Sequence, residues 1–254
     1  MPPLVDSHAH LDLLEDPQSA LTAARQAGVE KIIAVGIDLV SSRMAVDFSA
    51  ASEEVYASVG IHPHDAANVD DKALSELQSL AASDKVVAIG ETGLDYYRDR
   101  APRESQKAAF IEHMELARRT GLALIVHSRE ATEDVMQMLD KHAAGLTVIL
   151  HCFSLHGHVE ECAERGYFMS VAGNVTFKNA AGLREAVVKI PQELLLTETD
   201  SPYLSPVPNR GKKNQPAWVA SVLEEIARLR AVDAGLLAGA VLRNFQAAFS
   251  ATAP

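Results

Sequence analysis

The sequence predicts an α/β chain folded as a single (β/α)8 barrel, the TIM-barrel arrangement, over residues 1–254. Three observations lead there. Short runs rich in valine and isoleucine alternate with amphipathic stretches along the chain, the pattern of a parallel sheet covered on its outer face by helices. Eight such runs in 254 residues fit a closed barrel better than an open doubly wound sheet. No GxGxxG turn follows the first run, so the dinucleotide-binding alternative lacks its main signature.

The runs are Leu4–His10, Lys31–Ile37, Val55–Pro63, Val86–Asp95, Ala123–Arg129, Thr147–Phe153, Tyr167–Gly173 and Leu194–Ser201. Each is a short apolar stretch of strand length, bounded by polar or turn-forming residues. Between them the helical spacing of apolar residues is clearest over Pro17–Ala27, Pro102–Thr120 and Ala131–His142. After the eighth run, Tyr203–Gln215 is rich in proline, glycine and basic residues and reads as a long loop at the active-site mouth. Helices from about Pro216 to Phe249 close the domain.

Composition narrows the function classes. With 48% hydrophobic and 22% charged residues, the chain can bury a full core. A net charge of −11 and a pI of about 5.3 argue against a protein that coats nucleic acid, whose long phosphate-binding surfaces are basic. Any nucleic-acid contact is therefore expected to be local. Met1-Pro2-Pro3 has no basic export signal, and no apolar run approaches the roughly 20 residues that cross a bilayer. The expectation is a cytoplasmic monomer or weak oligomer without membrane contact, in which Cys152 and Cys162 stay reduced.

The ten histidines matter more, because of where they fall. Barrel enzymes place their chemistry at the C-terminal strand ends, and here strand after strand ends in a metal-binding side chain. The first ends in Asp6-Ser7-His8-Ala9-His10, and alternation lets His8 and His10 face the axis together. Glu91 ends the fourth, His127 the fifth, His151 the sixth and Asp200 the eighth. Four imidazoles and two carboxylates exceed one tetrahedral ion but suit two divalent ions that share a carboxylate. Glu91 is the natural bridge, with His8, His10 and Asp200 on one ion and His127 and His151 on the other. Zinc, magnesium and manganese all fit this donor set. Two ions roughly 3.5–4 Å apart can activate water and clamp a phosphate ester. Glu91 and Asp200 are the catalytic candidates, Asp200 as proton acceptor.

The motifs Asp6-Ser7-His8-Ala9-His10, Gly60-Ile61-His62-Pro63, Gly90-Glu91-Thr92-Gly93-Leu94-Asp95, His127-Ser128-Arg129, His151-Cys152-Phe153-Ser154 and Thr197-Glu198-Thr199-Asp200-Ser201-Pro202 together resemble the TatD family of metal-dependent deoxyribonucleases, among the amidohydrolase-like barrels. The resemblance runs from Val5 to about Phe245. It implies the ligand assignment above, with Glu91 bridging, and hydrolysis of DNA, often from the 3′ end. RNA is a possible second substrate. One departure is visible: Lys213 and Gln215 stand where the family commonly has arginine and glutamate, which bears on substrate preference and not on the metals.

Other residues take lesser expected roles. His62 shares the inward face and is expected to hydrogen-bond a substrate phosphate. Asp95, Arg129, Ser154, Tyr203, Lys213 and Asn214 come from loops at the same mouth as candidate substrate contacts, with loop stabilisation the competing role. Asp6 and Glu198 are expected to support the ligands by hydrogen bonds, Glu198 with a weaker ion as its alternative. His113 and His142 lie in helical patterns and read as hydrogen-bonded core or loop residues, and His156 and His158 as surface residues opening a helix. Two rivals remain at this level. One is an amidohydrolase-type enzyme acting on another ester or an amide, although such sites commonly carry a carboxylated lysine where this chain has Glu91. The other is a non-catalytic metal-binding module, against which the complete ligand set argues.

Overall fold

The computed structural model describes residues 3–249; the outermost residues of the expected 1–254 domain lie outside that range. Eight strands, β1 (Leu4–Ala9), β2 (Val29–Val35), β3 (Val55–Val59), β4 (Val86–Asp95), β5 (Ala123–Arg129), β6 (Val148–Leu150), β7 (Phe168–Val171) and β8 (Leu195–Thr197), form one parallel sheet in sequence order. Nine helices lie among the described residues: α1 (Pro17–Ala27), α2 (Leu39–Ala51), α3 (Asp71–Leu80), α4 (Arg103–Thr120), α5 (Thr132–His142), α6 (Val159–Glu164), α7 (Ala181–Lys189), α8 (Val219–Arg230) and α9 (Ala234–Ala248). None is long and apolar enough to cross a membrane.

Local chemistry sets these boundaries. The Asp16 carboxylate caps α1 by accepting from Ser19 N at 3.0 Å, Pro17 opens it, and Gly28 ends it at φ 87°. Asp38 and Ser41 cap α2 reciprocally. The strands carry the core: every residue of β4 is buried, and Phe110 and Met114 of α4 and Leu77 of α3 are fully enclosed against the sheet. Burial of each such side chain contributes about 1.5–3 kcal/mol.

The barrel closes by a different device from the one that joins its other strands. Between β8 and β1 the lower seam is held by side chains: Thr197 Oγ1 donates to Val5 O at 2.9 Å, and the Asp6 carboxylate accepts from Thr199 N at 2.8 Å and Thr199 Oγ1 at 2.6 Å. Backbone pairing resumes at the mouth, where Asp200 N donates to His8 O at 3.0 Å and His10 N to Ser201 O at 2.9 Å.

Several ladders stop short of the apolar runs. β3 ends at Val59 rather than Pro63, β6 at Leu150 rather than Phe153, and β8 at Thr197 rather than Ser201. Apolarity continues because the mouth residues are buried, and past each strand end single backbone bonds to the neighbouring strand, or to the residues just after it, carry the chain on. His62 N donates to Ile37 O at 2.9 Å, Phe153 N to Ser170 O at 2.9 Å, and Glu198 N to Val171 O at 3.1 Å. At Gly93 (φ 133°) the backbone passes so close to β5 that a Cβ would lie 2.1 Å from His127 O. That approach sets β4 beside His127.

Candidate metal centre

The buried Glu91 carboxylate stands at the centre of the mouth, and its two oxygens face two different sets of imidazoles. Oε2 lies 3.3 Å from His8 Nε2 and 3.8 Å from His10 Nε2. Oε1 lies 2.7 Å from His127 Nδ1, 3.5 Å from His62 Nε2 and 3.7 Å from His151 Nε2. Asp200 reaches the first set, with Oδ1 3.4 Å from His10 Nε2. The backbone places it there by a turn at Asp200 with φ 55°, a conformation that aspartate tolerates better than most residues. The six residues expected as ligands thus converge on one point from five strands and the turns that follow them.

The donor set fits a cation. His8 Nδ1 and Nε2, His10 Nδ1 and Glu198 Oε2 are buried and make no hydrogen bond among the described residues. A cluster of enclosed polar atoms without partners is costly unless an ion occupies the space between them. His8, His10 and Glu91 bring ligand atoms within 4.8 Å of one another, as do His62, Glu91 and His127, and His8, His151 and Glu198. The His8 and His151 rings stack with centroids 3.5 Å apart, too close for two imidazolium cations.

Electrostatics agree with the geometry. Burial opposes ionisation of Glu91, yet the surrounding imidazoles, His62 and His151 foremost, hold it well below the usual carboxylate range. Asp200 is likewise held down, burial being outweighed by His10 and His151. Burial keeps His8 low. It also drives His62 well below its ordinary value, so that ring is neutral. The tautomer of His62 follows from one bond. His64 N can only donate, and it points at His62 Nδ1 at 3.1 Å, so the His62 proton sits on Nε2, facing Glu91.

The supporting residues are equally specific. Asp95 Oδ2 lies 3.3 Å from His127 Nε2 and 2.9 Å from His64 Nε2, and Asp95 Oδ1 accepts from Arg98 N at 2.8 Å. Gln106 Oε1 accepts from Asp95 N at 2.8 Å, fixing the end of β4 against α4. Glu198 Oε1 lies 2.8 Å from His151 Nδ1 and accepts from Cys152 N at 2.8 Å. Asp6 stands one layer below, bonded to Thr199, where burial raises its carboxyl to about 8.

The remaining mouth residues divide. Tyr203 is 53% exposed, with its ring centroid 6.0 Å from that of His10. Arg129 is exposed and its guanidinium lies 4.0 Å over the Tyr97 ring. Ser154 is exposed, its hydroxyl donating to Ser128 O at 2.7 Å. Asn214 is buried and ties the mouth loop together, donating to Thr199 O at 2.8 Å and Tyr203 O at 2.6 Å. Lys213 pairs with Glu15 at the surface. Cys152 and Cys162 are free thiols. His113 is a core residue as expected: Nε2 accepts from Ile61 N at 3.0 Å and Nδ1 donates to Ala109 O at 2.7 Å. His156 and His158 form a short turn before α6. Sequence reasoning assigned no role to His64, whose pairing with Asp95 joins residues that no local pattern links.

Comparison with known proteins matches residues 5–250 to the family described as TatD related DNase. The chain is 38% identical to the uncharacterized metal-dependent hydrolase YabD of Bacillus subtilis strain 168, over 97% of this chain and 98% of that protein. It is 40% identical to the uncharacterized metal-dependent hydrolase TatD of Mycobacterium tuberculosis, over 89% and 90% respectively. Among solved structures, the TatD homologue YJJV of Escherichia coli superposes with a TM-score of 0.92 at 31% identity, covering 99% of this chain and 98% of its own.

Proposed function

The chain belongs to the family of TatD-related DNases, and on that premise we propose that it is a metal-dependent phosphodiesterase that trims single-stranded DNA from the 3′ end. The observation that carries this reading is the Glu91 carboxylate, whose two oxygens serve separate histidine sets. Glu91 with His8, His10 and Asp200 would hold one divalent ion, and Glu91 with His127 and His151 the other. When bound, such ions supply an activated water and charge stabilisation on the phosphate oxygens.

The chain's own side chains do the rest. Asp200, an ionised carboxylate beside His10, accepts a proton at Oδ1 or Oδ2. His62, neutral and protonated on Nε2, donates a hydrogen bond to a phosphate oxygen, a role for which its bond from His64 N has already fixed the tautomer. Asp95 and Glu198 hold the rings of His127 and His151 from behind. Tyr203 and Arg129 stand at the rim to meet the rest of the strand.

The test is metal content with activity. Purified protein should bind two divalent ions per chain by elemental analysis, and digestion of 3′-labelled and 5′-labelled single-stranded DNA and RNA with zinc, magnesium or manganese should show release from the 3′ end of DNA. Absence of phosphodiester cleavage with all three metals overturns the reading.

A further inference from the structure

The loop from β4 to α4, Tyr96-Tyr97-Arg98-Asp99-Arg100-Ala101-Pro102, gathers aromatic rings and arginines at the mouth in a chain whose net charge is −11. It begins immediately after Asp95, which touches His127, and Tyr96 N donates to Arg129 O at 2.9 Å. Arg129 is only two residues beyond His127, roughly 7 Å along the strand. Two arginine–aromatic stacks build the loop. Arg103 lies 4.1 Å over the Tyr96 ring, whose hydroxyl is anchored to Asp134 at 2.5 Å. Arg129 lies 4.0 Å, and Arg98 5.7 Å, over the Tyr97 ring.

The outer stack is the informative one. Tyr97 is 53% exposed although an aromatic ring gains from burial, and its hydroxyl makes no hydrogen bond among the described residues. Arg98, Arg100 and Arg129 form no ion pair among the described residues, a state they share with Arg119, Arg184, Arg210, Arg230 and Arg243, while the other six arginines each pair with a carboxylate. What marks this edge is the combination: two of the three guanidinia lie over one exposed ring, so free positive charge and an open aromatic face stand together.

We propose that Tyr97, with Arg98, Arg100 and Arg129, forms a subsite for a nucleotide next to the scissile phosphate, stacking an unpaired base on the ring and neutralising its flanking phosphates. The inference rests on the phosphodiesterase reading and extends it: the substrate is a single strand, recognised by base faces and backbone charge without reading of base identity. An aromatic ring with cations tracking the backbone is the physical basis of sequence-tolerant single-strand binding. A paired base has its faces covered by neighbours and gives the ring nothing to stack on.

The test compares wild type, Tyr97→Ala, Tyr97→Phe and an Arg98→Gln/Arg100→Gln double variant on two substrates, a single-stranded DNA oligonucleotide and bis(p-nitrophenyl) phosphate. Binding of a phosphorothioate oligonucleotide is followed in parallel by fluorescence anisotropy. For Tyr97→Ala, the ratio of kcat/KM on the oligonucleotide to that on the small diester should fall about 5- to 150-fold, with a matching loss of phosphorothioate affinity. Tyr97→Phe keeps the ring and should restore both. The arginine double variant should flatten the log–log salt dependence of binding by about 1.4. A Tyr97→Ala ratio within twofold of wild type, an unchanged salt slope, or a duplex bound as tightly as the single strand overturns the subsite. Wild type inactive on both substrates would instead overturn the phosphodiesterase reading, and the anisotropy series would still decide for or against the subsite.

Discussion

Acid should loosen this barrel through His113, a buried histidine of α4 that is not among the proposed ligands. The imidazole is fully buried, accepts from Ile61 N through Nε2 at 3.0 Å and donates to Ala109 O through Nδ1 at 2.7 Å. Both bonds need the neutral ring, and burial lowers its pKa from 6.5 to about 4. Because the folded value is depressed, the neutral histidine's contribution is fully present above pH 6.5 and is lost as pH falls toward 4, where the unfolded chain binds a proton that the folded chain refuses. Between pH 8 and pH 5 the expected loss is about 2 kcal/mol, or about 4–8 °C in Tm for a domain of this size. Other groups titrate in the same window, so the measurement is a difference. Urea denaturation of wild type and His113→Gln is followed at pH 8, 7, 6 and 5. Glutamine can offer Ile61 N an acceptor but does not titrate, so the variant should be the less stable at pH 8, and the gap should shrink by about 2 kcal/mol by pH 5. A gap that stays constant with pH would refute a neutral, pKa-depressed His113.

Three further outcomes follow from the site. Glu91→Ala should lower the occupancy of both proposed ions together in elemental analysis, and retention of one ion at full occupancy would remove Glu91 as the bridge. Asp200→Asn keeps shape and one oxygen but loses the proton acceptor, so kcat should fall roughly 10²–10⁴-fold with oligonucleotide affinity nearly unchanged. Recovery of the wild-type rate on metal titration would leave Asp200 a ligand alone. Gly93→Ala would force a methyl group to within 2.1 Å of His127 O at a positive φ, so calorimetry should show a lower Tm together with weakened metal retention. A fully stable, metal-replete Gly93→Ala would contradict the close approach of β4 to β5.

The barrel was legible in the sequence because most strand residues are buried on both faces, so each strand carries a short apolar core rather than a two-residue alternation. The converging side chains were legible for a related reason: alternation fixes which face His8 and His10 share, and the barrel geometry fixes where strand ends meet. The strand ends themselves were overextended. A run such as Val55–Pro63 stays apolar because its last residues are enclosed at the mouth, and composition alone cannot separate enclosure from pairing in a ladder. Asn214 illustrates another limit. A polar residue in a basic mouth loop invites a role in binding, yet its amide spans Thr199 O and Tyr203 O and holds the loop in shape. Long-range pairs such as His64 with Asp95, or Gln106 with the Asp95 backbone, leave no local trace. The stacking of Arg129 on Tyr97 was hidden for the same reason, although the arginine-rich segment after β4 was in plain view.

The seam between the first and last strands has a consequence for the newborn chain. Asp6 and Thr199, which join there, are separated by 193 residues. At 5–20 residues per second, the first strand waits roughly 10–40 s for its partner to leave the ribosome. Through that interval one edge of β1 has no neighbour, the kind of open edge that recruits stray strands. Asp200, adjacent to Thr199, arrives in the same moment that the seam can form. Closing so long a loop costs about 5 kcal/mol in chain entropy, which the seam bonds and the burial of the final strand must offset. Synthesis therefore delivers the closing strand and Asp200, the last of the proposed ligands, together.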